Sequence, residues 1–316
     1  MRFRRSHASV ALRFASWALA AGMLAWSASA RTSAATTSFN YVALGDSITY
    51  TGSAVPGGWV NLYSSDLNSD LHTNTAVTNF GIWGATSAQI LDSVEHDSSV
   101  RRSIEDADLV TYQAGINDFL STRWRYVTGA CGGTDNEDCL RAMVANFDTN
   151  WDLLLSEIQA LTPSATMRAM DIYYPVTVND ETMGYFGVLN SYLSQMNAHI
   201  WANPGGSAAR VHVLYNGETG AGDPYIKGYI LPDRVHPSEL GHAVIAASFR
   251  ILDYAGLNPS GPPPPSVGGI AEPPDLTALR STAASSARSH GSYFVGAGVA
   301  LVVEVAGAVG WRRRRG

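Results

Sequence analysis

The sequence predicts an α/β fold in which a parallel sheet is covered by helices on both faces. Three observations lead to this prediction: short apolar segments alternate with longer amphipathic ones, several apolar segments stop at a glycine, and a polar motif follows at three of those ends. Continuous apolar strands separated by helices are typical of parallel sheets. We predict strands over 41–44, 76–80, 108–113, 166–170 and 210–214, and the clearest helices over 139–160, 185–201 and 238–254.

Composition narrows the function classes. The chain has 316 residues, of which 46% are hydrophobic and 15% charged, as in ordinary globular proteins. The formal net charge is −6, and eight of the 21 basic residues lie at the two extreme ends, so the body is clearly acidic. Because an acidic surface repels a phosphate backbone, we expect no nucleic-acid partner. We expect a monomer.

The first 30 residues predict a signal peptide. Arg2, Arg4 and Arg5 precede an apolar stretch, and the small-x-small pattern of 28–30 follows it. We expect cleavage after Ala30, which would export the protein; an uncleaved N-terminal anchor is the alternative.

The C-terminal part differs in composition from the domain predicted over 31–258. Residues 259–292 are rich in Pro, Ser and Ala and predict an extended linker. Residues 293–311 form an apolar run that suits a single membrane span or a sorting segment, and the basic end 312–316 would stay cytoplasmic. We therefore expect the domain to be tethered outside the cell. Glu304 weakens the span, and a merely apolar, disordered tail is the alternative.

Cys131 and Cys139 are the only cysteines of the chain. In an oxidising compartment they predict a small loop-closing disulfide, with free thiols as the alternative. A metal site would need further nearby ligands, and the sequence offers none there. We predict neither a metal nor a cofactor.

The first strand end carries the most reactive side chain. Gly45 permits a tight turn from strand to helix, so Ser47 is expected at a helix N-terminus, among free backbone N–H groups. Alone, Asp46 or Ser47 in such a position is more often a simple helix cap.

Two further strand ends offer groups that can stabilise negative charge. Gly81 follows the second strand and would let a substrate oxygen approach its N–H, while Asn117 follows the third and can donate from its amide. Each has an ordinary alternative as a turn residue.

A histidine near the end of the domain completes the set. Asp233 lies three residues before His236, close enough to orient its ring so that it acts as a general base. A histidine at a helix start that makes a local hydrogen bond is the alternative, and His242 fits that alternative better.

Together, Ser47, Gly81, Asn117 and His236, with Asp233 before the histidine, resemble the GDSL/SGNH hydrolase family, which is named for Ser, Gly, Asn and His in four blocks. The resemblance covers 41–252 and departs from the family name at Ile48, where the name has Leu. It implies a flavodoxin-like three-layer α/β/α fold with five parallel strands. It also implies a nucleophile, Ser47, a base, His236, an orienting Asp233, and an oxyanion hole formed by Ser47, Gly81 and Asn117.

The expected activity is extracytoplasmic hydrolysis of carboxylic esters, as an esterase or lipase acting through an acyl-enzyme. The substrate would be a small-molecule, lipid or polysaccharide ester. One alternative is a carbohydrate O-acetyl esterase, and another is a surface-anchored binding module without catalysis. Trp83, Tyr173, Tyr174 and the long connection expected over 119–139 are candidates for the pocket wall.

Overall fold

A five-stranded, entirely parallel sheet forms the centre of the fold, with the strand order β2-β1-β3-β4-β5. The structure is a computed structural model that describes residues 38–254 and 256–257. The strands are β1 (Ser38–Gly45), β2 (Asn74–Gly81), β3 (Leu109–Tyr112), β4 (Thr166–Met170) and β5 (Ser207–Ala209). This order is that of flavodoxin-like folds, as the resemblance implied.

Helices pack in two groups, which form the outer layers. The part of the chain that the structure describes contains α1 (Ser47–Ala54), α2 (Trp59–Leu71), α3 (Ser87–His96), α4 (Ser98–Glu105), α5 (Ile116–Val127), α6 (Asp138–Leu161), α7 (Thr177–Thr182), α8 (Phe186–Ala202), α9 (Val211–Asn216) and α10 (Glu239–Arg250). One group consists of α1, α2, α9 and α10, in which α2 contacts α1 and α10, and α10 contacts α9. The other group consists of α3 to α8, and each of these helices contacts at least one other member. The central strands β1, β3 and β4 are mostly buried between these groups, whereas the edge strand β2 keeps alternate residues exposed.

Several sequence predictions lie outside the described residues. These are the signal peptide 1–30, the linker 259–292, the apolar run 293–311 and the basic end 312–316. Within 38–254 and 256–257, no helix is long and apolar enough to cross a membrane.

The fifth strand prediction is wrong. Residues 211–214 begin the helix α9, and the edge strand β5 is the preceding Ser207–Ala209. Just before this strand the chain comes very close to β4, since a Cβ on Gly206 would collide with the carbonyl oxygen of Met167. The apolar residues that suggested a strand instead form a helix that contacts α10.

The long connection predicted over 119–139 is mostly helical. Helix α5 continues to Val127, and only about ten residues separate it from α6. Cys131 and Cys139 form the predicted disulfide, which joins this short connection to the first turn of α6. The last predicted helix is also shorter than expected, since α10 ends at Arg250.

Candidate active site

The turn between β1 and α1 places Ser47 at the start of a helix. The carboxylate of Asp46 caps α1 by accepting the Ile48 N–H at 2.9 Å. The residue before Asp46 must be a glycine, because a Cβ on Gly45 would lie 2.9 Å from the backbone oxygen of Gln113. As the first helical residue, Ser47 has a backbone N–H with no partner inside the helix.

A chain of hydrogen bonds links Ser47, His236 and Asp233 across 189 residues of sequence. The Ser47 Oγ lies 3.0 Å from Nε2 of His236, whose Nδ1 lies 2.7 Å from Oδ2 of Asp233. A carboxylate can only accept, so Nδ1 carries the imidazole hydrogen and Nε2 is free to accept the serine proton. In such an arrangement a serine can act as a nucleophile, with the histidine as its base.

The segment that carries His236 is shaped by the same aspartate. Oδ1 of Asp233 accepts the backbone N–H groups of Val235 at 2.9 Å and His236 at 3.0 Å. Arg234, inside this turn, takes the left-handed conformation with φ of 63°. The Tyr173 hydroxyl donates to the Val235 carbonyl at 2.5 Å, which ties the turn to the segment after β4.

Asp233 stays ionised at this position. Burial alone would raise the pKa of its carboxyl group, but hydrogen bonds from the His236 ring and from two backbone N–H groups outweigh that effect and lower the pKa. An ionised carboxylate in this position can stabilise a positive charge on the His236 ring.

Gln113 is a site residue that the sequence argument missed. Its Nε2 donates to Oδ2 of the buried Asp46 at 2.7 Å and so connects the ends of β1 and β3. Burial raises the pKa of Asp46 to about 7, although the hydrogen bonds from Gln113 and Ile48 act in the opposite direction. A polar residue directly after a buried strand was the available signal.

Asn117 lies at the start of α5, beyond the end of β3. One hydrogen of its side-chain amide is donated to the Ala85 carbonyl at 2.9 Å. The amide has two hydrogens, so a second remains for another acceptor.

The Gly81 N–H is directed elsewhere than the sequence predicts. It donates to the Asn79 side chain at 2.7 Å, so its single hydrogen is already used. A Cβ on Gly81 would collide with the backbone of Tyr50, so this glycine allows β2 to pack against α1. In the part of the chain that the structure describes, the Gly84 N–H has no hydrogen-bond acceptor.

The three aromatic residues that were predicted to line the pocket have different environments. Trp83 is exposed and stacks on the His236 ring, with centroids 4.8 Å apart and planes at 24°. Tyr173 and Tyr174 are buried in the core. Tyr174 donates its hydroxyl to Asp180, so it supports the region without facing solvent.

His242 lies in the first turns of α10 and is buried, and its hydrogen bond is to a distant part of the chain rather than the local one that the sequence suggested. It accepts the Trp59 N–H at Nδ1, and burial, assisted by the nearby His236, lowers its pKa to about 4. No group of three or more His, Cys, Asp or Glu side chains is placed to hold a metal ion within 38–254 and 256–257.

Comparison with known proteins decides the family. A model of the GDSL-like Lipase/Acylhydrolase family matches residues 41–249, which is well over half of the chain. The chain belongs to this family. It is accordingly a carboxylic ester hydrolase, and the resemblance found from its motifs is confirmed.

Individual relatives in the family are distant. The spore germination lipase LipC of Bacillus licheniformis is 22% identical over 223 residues, which are 69% of this chain and 97% of that protein. The crystal structure of the lipase Lip_vut3 from a goat rumen metagenome superposes with a TM-score of 0.58 at 21% identity, covering 70% of this chain and 100% of that one. LAE5, an α/β hydrolase enzyme from the metagenome of Lake Arreo, Spain, gives 0.50 at 22% identity, covering 71% and 98%. These structures share the fold with this chain.

Proposed function

We propose that the protein hydrolyses carboxylic esters through an acyl-enzyme formed on Ser47. The observation that carries this proposal is the hydrogen-bonded chain from Ser47 Oγ through His236 to Asp233. These residues lie beyond the carboxyl ends of the sheet, where the strand order changes direction between β1 and β3, and open parallel sheets bind their ligands at that place.

The first half of the reaction transfers the acyl group to the enzyme. Ser47 Oγ attacks the acyl carbon while Nε2 of His236 takes the hydroxyl proton. The tetrahedral intermediate then breaks its bond to the alcohol oxygen, and His236 returns the proton to that oxygen. The alcohol leaves, and the acyl group remains on Ser47 as an ester.

The second half repeats these steps with water. His236 takes a proton from a water molecule as its oxygen attacks the acyl carbon, and then returns the proton to Ser47 Oγ. The carboxylic acid leaves and the free serine is restored. Asp233 keeps the imidazole ring oriented throughout.

Three donors on adjacent strand ends are proposed to bind the oxyanion: the Ser47 N–H, the second amide hydrogen of Asn117 and the Gly84 N–H. Gly84 replaces Gly81 in this role, because the Gly81 hydrogen is donated to Asn79. The bond from Asn117 to the Ala85 carbonyl brings the segment with Gly84 next to Asn117. Losing one such donor typically lowers kcat by about 10²–10³.

The substrate is proposed to be a small-molecule or lipid ester, with a polysaccharide O-acetyl ester as the second candidate. The similarity to a spore germination lipase supports the first. The exposed Trp83 beside the histidine supports the second, since flat aromatic surfaces stack on sugar rings as well as on other apolar groups.

Export and tethering remain part of the proposal and rest on sequence alone. The pattern of 1–30 supports export, and that of 259–316 supports attachment to the outer face of a membrane. Fractionation of expressing cells tests both: the full chain is expected in the membrane fraction and accessible to external protease. Recovery in the cytosol with an intact N-terminus would contradict export.

Replacement of the nucleophile tests the catalytic proposal. Ser47→Ala is expected to remove turnover of an activated acetate ester while the protein stays folded, because it removes the hydroxyl group that is hydrogen-bonded to His236. Near-normal turnover by the variant would overturn the assignment. A folded wild type without any esterase activity would favour the binding module.

A further inference from the structure

Trp83 exposes a large apolar surface to solvent beside His236, the proposed general base. Its side chain is 61% exposed although it touches two other rings. It stacks on His236 with ring centroids 4.8 Å apart, and it meets Tyr50 in an edge contact with centroids 5.9 Å apart. Single exposed apolar side chains need no explanation, but this one lies against the proposed general base.

The position of His236 determines which part of a substrate Trp83 can reach. In the proposed mechanism, Nε2 of His236 gives a proton to the alcohol oxygen, which must approach it to hydrogen-bond distance. Because the Trp83 indole lies along one face of the same imidazole, substituents on the alcohol oxygen pass close to the exposed part of the indole. The acyl carbon, by contrast, is held at Ser47 and the oxyanion donors.

We propose that Trp83 binds the alcohol part of the ester by stacking on a flat apolar face. This inference rests on the proposed ester hydrolysis and names the class of alcohol that the site favours. An aromatic ring and the C–H face of a pyranose both present such a face. Because the alcohol leaves before water attacks, the contact acts on acylation and leaves hydrolysis of the acyl-enzyme unaffected.

Three acetate esters with one common acyl group test the proposal in the full-length protein. These are ethyl acetate, phenyl acetate and a methyl pyranoside carrying one acetyl group. Trp83→Ala is expected to lower kcat/KM for at least one of the two flat-faced esters by about three- to tenfold more than for ethyl acetate. Trp83→Phe keeps a planar ring, so it should recover most of the kcat/KM that Trp83→Ala loses.

A control with a similar exposed fraction is available at the C-terminal end of α10. Ile251 is 62% exposed and belongs to none of the segments considered for the site, so Ile251→Ala should leave all three rates in the wild-type ratio. All three substrates form the same acetyl-enzyme, so the rate at which it is hydrolysed does not depend on the alcohol. A variant that lowers kcat/KM but not this rate has lost binding of the alcohol, whereas a variant that lowers both has lost activity in general.

Each outcome distinguishes this inference from the proposed function. A selective loss for phenyl acetate identifies an aromatic alcohol, one for the pyranoside identifies a sugar, and a loss for both identifies stacking in general. An equal loss for all three esters overturns the inference, since Trp83 would then act only through His236. If the wild type hydrolyses none of them faster than Ser47→Ala, the proposed function itself fails.

Discussion

Asp233 combines a charge and a turn in one side chain. Oδ2 accepts from the His236 ring, and Oδ1 accepts two backbone N–H groups. Asp233→Asn keeps an acceptor for the turn and loses the charge, so we expect kcat to fall by about 10²–10⁴ with little loss of stability. Asp233→Ala loses both, and should also lower the free energy of unfolding by about 1 kcal/mol.

Steady-state kinetics and urea unfolding of the two variants check this separation. If Asp233→Asn retained wild-type kcat, the carboxylate charge would have no part in orienting or stabilising the His236 ring.

His242 is expected to make the fold sensitive to acid. Its pKa is lowered to about 4 in the folded protein by burial and by His236, whereas the unfolded value is 6.5. Between these values the unfolded chain binds the proton that the folded one does not, so stability falls as pH decreases from about 6.5 to about 4. At about pH 5 the expected loss is roughly 1–2 kcal/mol.

The variant His242→Gln isolates this contribution because glutamine does not titrate. The difference in unfolding free energy between about pH 7.5 and about pH 5 should be smaller in the variant than in the wild type. An identical difference in both proteins would show that His242 is not buried in its neutral form.

Single residues were predictable from the sequence where local chemistry fixes them. Ser47 at a helix start and Asp233 three residues before His236 depend on turns of a few residues, and the structure brings their side chains together. The Gly81 N–H is donated to Asn79 only two residues earlier, a local pattern that Asn side chains often make and that the sequence argument overlooked. The packing of β2 against α1 is a tertiary contact that no local pattern encodes.

At the scale of elements, the end of β2 packs directly on the backbone of α1. A Cβ on Gly81 would collide with Tyr50 and would lie 2.8 Å from the carbonyl carbon of Thr49. Gly81→Ala is therefore expected to destabilise the protein by about 1–3 kcal/mol and to lower activity, because α1 carries Ser47. Thermal unfolding and ester hydrolysis measure the two effects.

Gly187→Ala is the matched control for that substitution. A Cβ on Gly187, in the first turn of α8, meets nothing within 4 Å. The control should be neutral or slightly stabilising. Equal stability of the Gly81 variant and this control would show that β2 and α1 are not in close contact.

Four of the five strands were predicted correctly, whereas β5 was not. β1, β2 and β4 contain their predicted segments, and β3 lies within the segment predicted over 108–113, because each of the four carries several apolar residues. β5 has only three residues, all of them small, so it carries no apolar run by which a strand could be recognised from sequence; its place is set by pairing with β4.

For the whole molecule, the disulfide between Cys131 and Cys139 is expected to stabilise the folded state. It closes a loop with a sequence separation of 8 residues at the start of α6, which the chain-entropy model values at about 2–3 kcal/mol. The double variant Cys131→Ser, Cys139→Ser should unfold at a correspondingly lower urea concentration. Addition of a reductant should lower the stability of the wild type and leave that of the variant unchanged; an equal response of both would contradict this role.

The order of the strands assembles the site from distant parts of the chain. Ser47 follows β1, Asn117 follows β3, and the two strands are neighbours although β2 separates them in sequence. The motifs alone indicated that these residues act together, but the support from Gln113 and the stacking of Trp83 on His236 became apparent only in three dimensions.

Reaction with a fluorophosphonate probe tests the central claim most directly, because such probes bind covalently to a serine that is activated by a neighbouring base. The account predicts one probe molecule per full-length chain, attached to Ser47 by peptide mapping, with no labelling of Ser47→Ala and much slower labelling of His236→Gln. A folded wild-type protein that never reacts, or that reacts at another residue with Ser47 unmodified, would contradict the account.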